Sequence, residues 1–159
     1  MLKGKKIVLG VTGGIAVYKA VDLVSRLRKQ GCEVRVVMTE HAQQFVTPLT
    51  FKEISGNAVA TSMWNSNQEF NVEHIALANW ADAFLVAPAT ANILAKMTYG
   101  IADDLLSTTL LAAQAPIVVC PAMNTGMYLN AATQENIAKL QSRGITAVSY
   151  THLRAHETR

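Results

Sequence analysis

A chain of 159 residues, half of them apolar and only 16% charged, is sized for one domain with a full hydrophobic core. Its net charge of +3 is scattered over Lys3–Lys6 and Arg26–Arg35, without the one-sided clustering or interleaved aromatics of a nucleic-acid footprint. No apolar run reaches the roughly 18 residues of a membrane span, the basic start leads into a strand pattern rather than a signal peptide, and Cys32 and Cys120 lack metal-ligand spacing. The expectation is a cytoplasmic protein with buried thiols and no metal, nucleic-acid or membrane partner.

Lys5–Val11 is a short β-branched run, broken by Gly13-Gly14. From Val17 the apolar positions Ala20, Val21, Val24 and Leu27 recur at helical spacing, with Lys19, Asp22, Arg26 and Arg28 on the other face. Gly31 closes that helix, and Glu33–Met38 is the next strand, ending at Thr39. Strand, glycine turn, helix and strand make a βαβ unit with a right-handed parallel crossover. The stretch 40–71 is less regular: a short helix opens at Thr47-Pro48-Leu49, runs to Ile54 and is closed by Ser55-Gly56-Asn57, and the polar run Trp64–Gln68 reads as a loop. A short helix over Val72–Ala78 precedes a strand at Ala83–Val86. Thr90–Met97 and Asp104–Ala113 are helical by pattern, Ala115–Cys120 is a fourth strand, Ala131–Arg143 a helix followed by Gly144, and Ile145–Val148 a fifth strand. This order predicts one α/β domain over residues 1–148, a three-layer, doubly wound parallel sheet of the Rossmann or flavodoxin-like kind. Residues 149–159 fit nothing before them, with two His and two Arg in Tyr150–Arg159 and no periodicity. They read as a non-native tail on which no function rests.

Three of the strands end in small or polar residues: Thr12-Gly13-Gly14, Ala87-Pro88-Ala89-Thr90 and Pro121-Ala122-Met123-Asn124. Open α/β sheets bind ligands at the carboxyl ends of their strands, so the function is sought there. Glycines between a strand and a helix let a ligand approach the backbone, and the helix start offers N–H groups to an anion. A dinucleotide fingerprint would need further glycines where Val11 and Ile15 stand, and an acid at the end of the second strand in place of Met38-Thr39. The turn with Thr39 therefore suggests a mononucleotide phosphate rather than NAD. Alanines around Pro88 permit close approach to a flat ring; Thr90 caps the next helix or binds a ligand, and Asn92 is a poor helix former so near a helix start. His74 taken alone reads more often as a surface or structural residue, but it precedes a strand that ends on the rim, and an imidazole is the side chain suited to act as a base facing a thiol or a carboxyl substrate. Asn124 offers an amide to a carboxylate without importing charge, and the helix at Ala131 begins too late for Asn124 to be its cap.

Gly-Gly-Ile-Ala after the first strand, a His before the third, Pro-Ala-Thr-Ala-Asn after it, Gly100–Ser107 (GIADDLLS) and Pro-Ala-Met-Asn-x-x-Met-Tyr together resemble the flavin-dependent cysteine decarboxylases. The similarity is greatest to the branch serving coenzyme A biosynthesis and covers about residues 3–148. The resemblance implies FMN as cofactor and 4′-phosphopantothenoylcysteine as the small-molecule substrate of a carboxy-lyase. Thiol oxidation to a thioaldehyde would let CO2 leave, and the enethiol left behind would be reduced to 4′-phosphopantetheine. Carried over by position, His74 matches the catalytic histidine and Asn124 the holder of the substrate carboxylate. Gly13, Gly14, Ile15, Ala16, Thr39, Ala89, Thr90, Asn92, Ser107, Ala122 and Met123 fall where relatives line the flavin. The family also implies a homo-oligomer, a trimer or a multiple of trimers, with flavin sites between subunits. A departure accompanies the match: relatives that complete the reduction carry a cysteine on a Gly-rich flap after the fifth strand, and no cysteine follows Cys120. The expectation is oxidation and decarboxylation with the reduction stalled. Competing readings are a peptide cysteine decarboxylase, a flavin prenyltransferase, a non-catalytic flavin-binding regulatory subunit and an NAD oxidoreductase.

Overall fold

Five consecutive buried residues follow Lys6 in the first strand, β1 (Lys6–Val11), because both faces of an interior parallel strand are covered by helices. The computed structural model describes residues 2–63 and 73–148. After β1 come α1 (Val17–Lys29), β2 (Glu33–Met38), a 3-10 turn (His41–Gln44), α2 (Pro48–Ser55), α3 (Glu73–Trp80), β3 (Ala83–Ala89), α4 (Ala91–Tyr99), α5 (Leu105–Ala112), β4 (Ile117–Pro121), α6 (Thr125–Leu129), α7 (Ala131–Ser142) and β5 (Thr146–Ala147). The strands pair in parallel in the order β2-β1-β3-β4-β5. This is the doubly wound sheet expected from the sequence.

Strand periodicity divides the core in two. Ile7, Leu9 and Val11 of β1 face one way and pack with Val17, Ala20 and Val24 of α1 and Phe51 of α2. Val8, Phe84 and Val86 face the other way against Leu77, Leu94, Leu106 and Leu140 of α3, α4, α5 and α7. Side chains as deeply buried as Phe84 and Leu106 each contribute roughly 1.5–3 kcal/mol. The chain reverses winding between β1 and β3, and in such sheets the ends of the two strands flanking that point splay into a crevice.

Several boundaries differ from the sequence reading. β3 continues through Ala87 and Pro88 to Ala89, which pairs with Pro121 after a register shift from Val86. A proline argues against a central strand, but here the bulge absorbs its missing N–H. β4 starts two residues later than expected and takes in Pro121, and α3 runs on to Trp80. The 3-10 turn and α6 were not foreseen; both are too short to show a hydrophobic period. The polar run Trp64–Gln68, Val72 and the tail 149–159 lie outside the described residues.

Candidate active site

The carboxyl ends of β1 and β3 are tied together by one buried hydroxyl. Thr12 donates its O–H to the carbonyl of Pro88 at 2.6 Å and accepts the N–H of Thr90 at 3.1 Å. The neighbouring turns are fixed by caps. Thr90 Oγ1 accepts the N–H of Ile93 at 3.2 Å and starts α4; Thr39 Oγ1 accepts that of Ala42 at 3.1 Å and holds the 3-10 turn. In each cap the oxygen is the acceptor, so the hydroxyl proton of Thr39 and of Thr90 remains available to a ligand.

Two of the cavities on this rim share Gly13 and Thr90. The larger, about 510 Å3, is walled by Gly13–Ala16 and Lys19 from the start of α1, by Thr90 and Ala91, and by Ala122, Met123, Asn124 and Met127. The second, about 370 Å3, shares Gly13, Thr90, Ala91 and Met127 with it and adds Thr12, Thr39, His41 and Asn92. One side is thus flat and apolar, and the other carries hydroxyl and amide groups. The two glycines differ in what they make room for. A Cβ on Gly13 would run into the His41 ring and come within 2.9 Å of the His41 backbone carbonyl carbon, whereas one on Gly14 would meet nothing within 4 Å. Gly13 leaves space for protein, and Gly14 faces open space.

Asn124 corrects the sequence reading. It is a helix cap, of the unforeseen α6: its Oδ1 accepts the N–H of Met127 at 2.8 Å. The cap fixes the amide with its acceptor used, leaving the NH2 as a donor for a carboxylate. Lys19 also departs from its place on the solvent face of α1. Its Nζ is buried with no hydrogen-bond partner among the described residues, 5.9 Å from the centre of the Tyr18 ring. Sequence reasoning missed this residue, although its spacing of three from Ala16 and four from Leu23 sets it on the flank of the apolar stripe. An ammonium held out of water without a partner is costly unless an anion joins it.

Of the predicted residues, Gly13, Gly14, Ile15, Ala16, Thr39, Thr90, Asn92, Ala122, Met123 and Asn124 line one cavity or the other. Ala89 is buried beneath them at the end of β3. Ser107 stands apart: its hydroxyl accepts the N–H groups of Asp103 and Asp104 at 3.1 Å each, and its own N–H donates to Asp104 Oδ1 at 2.8 Å, a reciprocal cap of α5. His74 lines neither cavity. It sits half-buried in the first turn of α3, which feeds antiparallel into β3, so that turn lies toward the carboxyl edge of the sheet.

Charge at the rim is largely self-compensated. Lys96 Nζ lies 2.7 Å from Asp103 and 3.6 Å from Asp104. Burial works against its charge, but the hydrogen bond to Asp103 and the two carboxylates more than offset this and raise its pKa. The hydrogen bond from Lys96 in turn holds the Asp103 carboxyl below its ordinary range. Burial pushes the Cys120 thiol up to about 11, so it is neutral near pH 7.

The sequence profile of the Flavoprotein family matches residues 1–156. The coenzyme A biosynthesis bifunctional protein CoaBC of Vibrio vulnificus is 54% identical over 144 residues, 91% of this chain, which spans 36% of that relative's length. Among solved structures, the FMN-dependent cysteine decarboxylase SpaF superposes with a TM-score of 0.87 at 35% identity, over 93% of this chain and 85% of its own. A cysteine-to-serine mutant of PPC decarboxylase complexed with pantothenoylaminoethenethiol superposes at 0.78 and 30% identity, over 92% of this chain and 82% of its own.

Proposed function

The chain belongs to the Flavoprotein family, and we propose that it binds FMN at this rim and decarboxylates 4′-phosphopantothenoylcysteine on the way to coenzyme A. The observation that carries the reading is a rim cavity walled by the fixed amide of Asn124 and by a buried ammonium, Lys19, without a hydrogen-bond partner among the described residues. The residues fit a flavin nucleotide. Open space at Gly14 and the small or flexible walls Ala91, Ala122 and Met127 suit a flat ring, while the free hydroxyl protons of Thr39 and Thr90 and the amide of Asn92 suit a phosphate.

When bound, FMN would supply the two-electron oxidation of the cysteinyl thiol, the step that precedes loss of CO2. The chain's own part is binding and proton handling. Asn124 donates its NH2 to the substrate carboxylate, a neutral contact that leaves CO2 free to depart as a neutral molecule. Lys19 provides the counter-charge for the substrate phosphate. His74 accepts the thiol proton, a role supported by its place toward the carboxyl edge. Ser107 enters through the α5 cap, which holds Asp103 and Asp104 against Lys96.

Ile15 (80% exposed), Tyr18 and Met127 are exposed apolar residues in the wall of the larger cavity, and Leu129 is exposed at the end of α6. A second and third copy of the chain covering them would give a homotrimer with the flavin between subunits, to be tested by light scattering. A cytoplasmic setting accords with two free thiols. A cysteine-containing peptide is the competing substrate, since solved relatives include a peptidyl-cysteine decarboxylase; the buried ammonium favours a phosphorylated one. Protein reconstituted with FMN, identified by its visible absorbance, is incubated with either substrate and the products weighed by mass spectrometry. Loss of CO2, about 44 mass units, together with the two hydrogens of oxidation or without them, is expected from the phosphorylated substrate only, and none in His74→Asn. Protein that takes up no flavin, or decarboxylates only the peptide, refutes the proposal.

A further inference from the structure

Beside the rim cleft lies a smaller cavity of about 200 Å3, between Ala20 and Leu23 of α1 and Ala87, Pro88 and Cys120 at the ends of β3 and β4. Ala16, Lys19 and Ala122 wall both spaces, so a ligand lying across them passes the Lys19 ammonium. At the outer end Arg26 is held by Asp22 at 2.7 Å, and both side chains are largely exposed.

We infer that this cavity is the subsite for a branched aliphatic group of the substrate, the geminal dimethyl carbon next to the phosphate-bearing methylene of a pantothenoyl chain. The inference rests on the proposed function and adds to it the basis for reading the substrate's hydrocarbon. The cations nearby are unequal. Arg26 already has a carboxylate and is largely exposed, whereas Lys19 Nζ is buried with no hydrogen-bond partner among the described residues, so the phosphate goes to Lys19. In a phosphate–CH2–C(CH3)2 unit the quaternary carbon lies about 4 Å from phosphorus, given bonds of roughly 1.5 Å. A phosphate on Lys19 therefore sets the two methyls beside that residue, where Ala16, Ala20, Leu23 and Cys120 offer hydrocarbon or neutral thiol surface. Cys120 does not ionise near neutral pH, so this wall stays apolar. The space is several times the ~30 Å3 that a water molecule takes in the liquid, ample for a compact branched group. Apolar walls hold water poorly, so methyl groups that displace it add affinity.

The test is calorimetric binding to flavin-loaded protein, with 4′-phosphopantetheine and a synthetic analogue lacking both methyls as probes. Wild type is expected to bind the analogue about fifteen-fold more weakly, the burial value of two methyl groups. Cys120→Leu fills the cavity and should bring the two probes to within about threefold by weakening the parent alone. Leu23→Ala, on a half-buried helix flank, removes one wall and should shrink the difference even if the first variant folds poorly. Equal binding of the two probes by wild type overturns the inference. So does a full fifteen-fold preference in Cys120→Leu protein with unchanged flavin absorbance and melting temperature. A protein that retains flavin and binds both probes alike refutes the subsite alone; one that retains no flavin and binds neither removes the proposed function and the subsite together.

Discussion

Adjacent glycines at the end of β1 should respond in opposite ways to the same substitution. In Gly13→Ala the added methyl meets the His41 ring and, at 2.9 Å, the His41 carbonyl carbon. The exposed imidazole can swing aside, but the backbone of the 3-10 turn is held by the bond from Ala42 N–H to Thr39. Overpacking against backbone costs about 1–3 kcal/mol, and for a domain of this size the melting temperature falls by roughly 2–4 °C per kcal/mol. In Gly14→Ala the methyl meets nothing, and neither glycine has a positive φ. Its effect on the apoprotein is therefore the loss of chain entropy in the unfolded state, a stabilisation of about 0.4–1 kcal/mol. The same methyl intrudes on the space assigned to the flavin, where it should weaken FMN binding by about tenfold or more. Scanning calorimetry of flavin-free protein and a fluorescence titration with FMN give the two readouts. Equal destabilisation by both variants, or undiminished FMN affinity in Gly14→Ala, would refute the division of labour between these positions.

Asn124→Asp keeps the acceptor that caps α6 but replaces the NH2 donor by a negative charge, so stability should hold within about 0.5 kcal/mol while substrate decarboxylation, followed by mass spectrometry, is lost. Lys19→Met removes a buried ammonium that has no hydrogen-bond partner among the described residues, so the apoprotein should melt higher while calorimetry shows weaker binding of 4′-phosphopantetheine. Asp104→Ala removes the N-cap of α5 and one partner of Lys96, and urea titration should show a loss of about 1–2 kcal/mol. The Cys120 thiol is raised from 9.0 to about 11 by burial. Its folded form holds the proton more tightly than its unfolded form, so this contribution is fully present below pH 9 and is lost as pH rises from 9 toward 11. Unfolding free energy measured across that window should fall less steeply in Cys120→Val, and alkylation of folded wild type at pH 8 should be slow at this residue.

The layout of the sheet was legible because it is written in local periodicity. Glu33–Met38 alternates and ends where expected, and α1 shows its apolar stripe, since strand and helix each impose a fixed spacing on the residues that face the core. The glycine turn after β1 and the Pro-Ala-Met-Asn run at the end of β4 pointed to the rim by residue type alone. Elements shorter than one or two periods were not legible. α6 is five residues long, too short for a pattern, so the capping role of Asn124 went unseen. The end of β3 was hidden because its strand character depends on pairing with Pro121 and on Thr12 reaching Pro88, partners far away in sequence.

The sequence by itself determined the layers, the parallel crossover and the set of small and polar residues at the strand ends, because each follows from spacing along the chain. Only the tertiary structure decided which of them share a wall. It sorted Gly13 from Gly14, turned Ser107 into a cap, and withdrew the Lys19 ammonium from water. Those outcomes depend on what stands across the gap, and a neighbour brought in by folding leaves no period in the chain.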